Sequence, residues 1–105
     1  LKEVGNSDET AKKLYLRALL YYPDHRAFLG LGILYQKYDQ YAESLQIIEK
    51  GLKYYPKSEH LNICFGVSLM NVKEYERALA CFEKFPESYR ARSLAVSCKE
   101  ALRRS

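Results

Sequence analysis

Chemistry in this chain must be sought where suitable side chains recur at a spacing that a fold can use. His60 and Cys64 are four residues apart, so a helix would bring an imidazole and a thiol to one side, as in an activated nucleophile. His60 also lies beside Glu59, but the same spacing suits a polar pair in a groove or on a surface, which is the preferred reading. Cys64, Cys81 and Cys98 are evenly spaced by 17 residues, but no C-x-x-C pair occurs, so they read as small apolar fillers on helices and not as a metal site. Leu29-Gly30-Leu31-Gly32 contains G-x-G, yet the third glycine of a dinucleotide loop would fall on Tyr35 and no strand precedes it. The 10 tyrosines could stack on bases, but Tyr35, Tyr41 and Tyr75 fall at positions that helix packing would use. No acid, base and nucleophile converge, so the expectation is a protein that is not an enzyme and takes no metal or cofactor.

Composition narrows the class further. With 105 residues, 48% of them hydrophobic and 29% charged, the chain suits one folded domain and not a disordered tail. Its longest apolar run, Ala18–Tyr22, is far below the roughly 20 residues that a membrane span needs. A net charge of +4, scattered along the chain, is weak for a nucleic-acid surface and argues against that partner. The odd number of cysteines, 3, points to free thiols in a reducing compartment and hence to the cytoplasm. A first residue of Leu and not Met suggests a processed or excised piece.

The elements that would carry these residues emerge from an internal repeat. Shifted by 34, Leu31-Gly32 falls on Phe65-Gly66, Tyr41 on Tyr75, Ser44-Leu45 on Ala78-Leu79, and Ile48-Glu49-Lys50 on Phe82-Glu83-Lys84. Shifted by 33, Tyr21-Tyr22-Pro23 falls on Tyr54-Tyr55-Pro56. Phe28, Leu31, Leu34 and Tyr35 recur at intervals of three and four, as do Leu45, Ile48 and Leu52, which marks one face of a helix in each case. Asp24 and Ser58 stand where N-caps are wanted, and Pro23, Pro56 and Pro86 end the helices before them. Lys37–Gln40 and Val72–Glu74 read as short turns. Six helices are expected, over about Ser7–Tyr22, His25–Tyr38, Tyr41–Tyr55, Glu59–Val72, Tyr75–Phe85 and Glu87–Arg104, with no strand.

Leu31-Gly32, Tyr35, Tyr41, Ser44, Ile48 and Pro56, with a second copy in Phe65-Gly66, Leu69, Tyr75, Ala78 and Phe82, resemble the tetratricopeptide repeat. The resemblance covers nearly the whole chain. It implies an all-α solenoid, a superhelix of antiparallel helix pairs. Residues 7–23 would be a half-repeat, 24–56 a repeat, 57–86 a repeat one turn short, and 87–105 a terminal half-repeat or capping helix. Gly32 and Gly66, each costing about 1 kcal/mol inside a helix, would admit a neighbouring helix, with Ala11, Ser44 and Ala78 as the small surfaces opposite. The family's usual tryptophan is replaced by Phe28 in one copy and Asn62 in the next, and its usual small residue late in the second helix by Gly51 and then Phe85.

By the same resemblance, function resides in a concave inner face made by first-helix residues off the packing seam. Carried onto this chain, these are Arg26, Leu29, Ile33, Gln36 and Lys37, then His60, Ile63, Val67, Met70 and Asn71, then Tyr89, Arg92, Val96 and Lys99. The centre would be apolar and open to solvent, with Ile63 and Val67 stacked as one stripe, and the rim basic through Arg26, Lys37, Arg92 and Lys99. Such a face suits a peptide or helix of another protein that carries carboxylates beside apolar anchors. The carboxylate clamp of chaperone-binding members is not matched, since its positions hold Leu29, Ile33, Cys64, Tyr89 and Ser93. An RNA-associated helical repeat and a secretion-type chaperone are the alternative readings. Both ends of the stack are half-repeats, so self-association through those ends is a further expectation.

Overall fold

The computed structural model describes residues 2–104, with side chains from Ser7 onward. Among the described residues there are six helices and no strand: α1 (Lys2–Leu19), α2 (His25–Lys37), α3 (Tyr41–Tyr54), α4 (Glu59–Asn71), α5 (Tyr75–Glu83) and α6 (Tyr89–Arg104). The fold is all-α, and each helix packs on the next in chain order, as a superhelical repeat arrangement requires. No described helix is long and apolar enough to cross a membrane.

The helix starts follow the expected chemistry. The Asp24 carboxylate accepts the Arg26 backbone N–H at 2.9 Å, and the Ser58 hydroxyl accepts that of Leu61 at 3.2 Å. Ser88 does the same for Ala91 at 3.2 Å, so α6 opens at Tyr89 and not at Glu87. The first helix ends at Leu19, three residues before the expected Tyr22, because the chain must leave the helical region ahead of Pro23. Its last turn tightens into i to i+3 bonds, Leu20 to Arg17 and Tyr21 to Ala18, both 3.1 Å.

The two inter-helix turns are alike in a way that the residue types conceal. Asp39 and Lys73, 34 apart, both adopt left-handed backbone, with φ of 60° and 67°. After each, the next N–H reaches back to the helix, Gln40 to Tyr35 and Glu74 to Leu69, both at 2.8 Å. The left-handed residue itself bonds to Gln36 or Met70 at 3.0 Å. This is a Schellman closure built without glycine.

Pairs α2–α3 and α4–α5 run antiparallel, since Phe28 meets Gly51 while Gly32 meets Ile48, and Gly66 meets Phe82 while Asn62 meets Lys84. A methyl group at Gly32 would lie 2.7 Å from Ile48 Cγ1, and one at Gly66 would lie 2.7 Å from Phe82 Cζ. The glycines therefore admit Ile48 and Phe82, one turn beyond the small residues Ser44 and Ala78. Ser44 has a second role, donating to the Gly32 carbonyl at 3.0 Å. Ser68 on α4 donates to Ser44 at 2.9 Å, and Gln36 on α2 donates to Ser68 at 2.7 Å, so a satisfied chain of hydrogen bonds ties three helices together. Two apolar clusters flank this chain. One gathers Phe28, Ile48, Leu61 and Cys64, and the other is built around Leu69, Phe82, Ala91 and Cys98. Tyr35, Tyr41 and Tyr75 are half-buried and belong to neither cluster.

Curvature is visible in which backbones approach. Helix α2 approaches α4, and α4 approaches α6, to within 8 Å between Cα atoms. The described parts of α1 and α3, and of α3 and α5, never come that close. The even-numbered helices thus form the inner side of the bend, and the odd-numbered ones splay outside.

Candidate functional site: the hollow between the inner helices

The inner side carries a shallow hollow of about 160 Å³ between α2, α4 and α6. Leu29, Ile33 and Gln36 line it from α2, one helical turn apart or less, while α4 contributes Glu59, His60, Ile63, Cys64 and Val67, and α6 contributes Arg90. Ile33 is 51% exposed despite being aliphatic, so the floor is not closed by the protein's own packing. Arg90 supplies the cationic group beside Cys64.

Six of the residues expected at a groove are brought together here: Leu29, Ile33, Gln36, His60, Ile63 and Val67. Ile63 departs from its expected solvent-facing place. It is only 5% exposed and belongs to the cluster around Leu69, Phe82, Ala91 and Cys98, because α6 closes over it, so it forms the floor and not an open stripe. Met70 is half-buried against the same cluster. Asn71 is exposed at the C-terminus of α4 and turns its amide back to the Val67 carbonyl at 2.8 Å.

The expected basic rim does not assemble. Arg26 sits exposed in the first turn of α2, outside the hollow. Lys37 is engaged by Asp8 of α1 at 2.8 Å, and the Tyr38 hydroxyl donates to the same carboxylate. These bonds hold Asp8 below the ordinary carboxylate value and raise Lys37 and Tyr38 above theirs. Arg92, Val96 and Lys99 lie on another face of α6, with Phe82, Glu83, Pro86 and Ala95 around a separate surface depression. There Lys99 pairs with Glu83 at 3.9 Å, and Arg92 donates to the Pro86 carbonyl at 3.2 Å. The reason is rotational: three or four residues turn a helix once, and α6 presents Arg90 inward, so Arg92 and Val96 point elsewhere.

Glu59 and Arg90 line the hollow without having been singled out from the sequence. Glu59 joins His60, which was expected there, whereas on α6 Arg90 lines the hollow and the expected Tyr89 does not, an error of one residue in facing. The pairing of His60 with Cys64 is real in the sense that both line the hollow. Burial nevertheless pushes the Cys64 thiol up to about 11, against weaker opposing effects from Arg90 and from the Gln36 amide at 3.4 Å. A thiol so raised is not the thiolate that nucleophilic chemistry needs. Cys81 and Cys98 are free, buried and raised for the same cause. The described residues hold no group of three or more potential metal ligands. What the hollow offers is an apolar floor, one guanidinium, one carboxylate and one imidazole. Compared with family models and with curated proteins, the chain matches none.

Proposed function

We propose that this chain is an interaction scaffold of the tetratricopeptide-repeat kind, which holds a peptide or helix of a partner protein in the hollow between α2, α4 and α6. The observation that carries the reading is the inner face itself. Leu29, Ile33 and Val67 form an apolar strip on the concave side, and Ile33 is half exposed where a partner side chain could cover it. Arg90 favours a carboxylate next to the partner's apolar anchor, so the electrostatic demand is one point and not a basic rim. The free, buried thiols suit a reducing compartment, and a cytoplasmic setting is part of the proposal.

The test uses two exposed positions that the core does not need. Partners captured by the whole chain are compared with those captured by an Ile33→Glu, His60→Glu double variant. Melting should be unchanged, while affinity for the partner falls by at least about 2 kcal/mol. A variant that stays folded and binds the same partner as tightly as the parent would remove the hollow from consideration.

A further inference from the structure

A larger concavity, about 590 Å³, opens on the other side of the molecule, where α1 and α3 splay apart. Its walls are apolar and aromatic: Leu16 and Leu20 from α1 and its last turn, Tyr22 from the connection that follows, and Tyr54 from α3. These side chains are 43%, 80%, 60% and 60% exposed, so the surface is open to solvent. The Tyr54 wall is braced, since its ring stacks on Phe28 at 6.0 Å and 20°. Lys50 and Lys53 of α3 border it, and no acidic residue is among those lining it.

We propose that this outer concavity is a second docking site, separate from the inner hollow, for an acidic amphipathic segment of a partner protein. Leucine or aromatic side chains of that segment would enter between Leu16, Leu20 and Tyr54, and its carboxylates would pair with Lys50 and Lys53. Charge decides between occupants. A second copy of the chain seated here two-fold would bring Lys50 and Lys53 against the same two lysines. A copy stacked head to tail would offer the face of α6 that carries Arg92 and Lys99, where the one carboxylate of that depression, Glu83, is already paired with Lys99 and does not answer Lys50 and Lys53. Single-stranded RNA could stack on Tyr22 and Tyr54, but it would also need a track of cations along its backbone, and Lys50 and Lys53 are the two cations among the residues lining the concavity.

The test measures fluorescence anisotropy of a labelled helical peptide with Glu and Asp on one face and Leu and Phe on the other, added to the whole chain. Lys50→Glu with Lys53→Glu should weaken binding at least tenfold, as should Leu20→Ser with Tyr22→Ser. All four positions are exposed, so melting should not change. Ile33→Glu, on the inner hollow, should leave this peptide's affinity unaltered, which separates failure here from failure of the inner site. The proposal is overturned if the acidic peptide does not bind, if a lysine-for-glutamate version binds equally well, or if the lysine variants keep full affinity. It is overturned equally if a uridine oligonucleotide binds in the peptide's place, or if the chain sediments as a dimer that Leu20→Ser with Tyr22→Ser dissolves.

Discussion

The pairs α2–α3 and α4–α5 come from the same 34-residue pattern but hold themselves together differently. In the first, Phe28 packs on Gly51, where an added Cβ would be 2.8 Å from Phe28 Cβ, and Tyr54 stacks on the Phe28 ring. In the second, the corresponding positions are Asn62 and Phe85. Asn62 is 1% exposed, and its amide donates to the Pro56 and Ser58 carbonyls at 3.1 and 2.8 Å and accepts from Lys84 at 3.2 Å. Ring packing has been replaced by a satisfied amide, and the small residue opposite has grown to Phe85. The hydrogen-bond chain that reaches Ser68 on α4 starts from Gln36 and Ser44 of the first pair, and these correspond to Met70 and Ala78 in the second, both apolar. Repeat positions therefore preserve a volume and a satisfied environment more than a residue type.

Breaking this contrast is most direct at Phe28. Phe28→Ala should cost about 3–5 kcal/mol in denaturant unfolding, because the ring is 4% exposed and its partners, Gly51 among them, cannot collapse into the void. Gly66→Leu should cost about 1–3 kcal/mol by forcing Phe82 aside, and an unchanged melting temperature would show that the two helices are not in the tight contact described. Asn62→Ala should fall between roughly 1 and 3 kcal/mol, through lost hydrogen bonds more than lost volume. If it matched Phe28→Ala, the claimed difference between the pairs would fail. Lys73→Gly sharpens the contrast in the other direction. It should stabilise by up to about 1 kcal/mol, since left-handed strain of about 1–2 kcal/mol exceeds glycine's extra freedom in the unfolded chain. Asp39→Gly should gain less, because Asp tolerates this conformation and its carboxylate accepts the Tyr41 hydroxyl at 3.0 Å. The smallest effect concerns α1. Asp8 is lowered when folded, so its contribution is present above the ordinary carboxylate value near pH ~4 and is lost as pH falls through the lowered one. Lys37 and Tyr38 are raised, so theirs is lost as pH climbs beyond about 10. Thermal melts across pH should show both limbs shrink in Asp8→Asn.

Much of this was legible in the residues. Asp24 and Ser58 cap the helices they were expected to cap, and the prolines end helices where proline must. The apolar spacing of Phe28 and Leu31, and of Ile48 and Leu52, found the packing faces. Facing on α6 was only half legible: Ala91, Leu94, Ala95 and Cys98 mark the packed face at helical spacing, but Arg90 flanks it on one side and Arg92 and Lys99 on the other, and their residue types do not say which side borders the hollow. Ile63 misled for the opposite reason: α4 is apolar on nearly every side, with buried residues from Leu61 to Leu69, so periodicity cannot say which side stays open. The Schellman turns were located but not recognised, since Asp and Lys are not the residues that announce left-handed backbone.

Because a helix approaches only its neighbours and, on the inner side, the next but one, order in this molecule propagates along a line. Among the described residues, α1 approaches the rest of the backbone through α2 alone. Amide protons in α1 should therefore exchange with solvent first, by fraying that leaves the other helices intact. Those of α3 and α4, braced on both sides and joined through Ser44 and Ser68, should exchange last. Loss of structure would then travel inward from the ends, and the hollow between α2, α4 and α6 would keep its shape after the outer concavity had lost one wall.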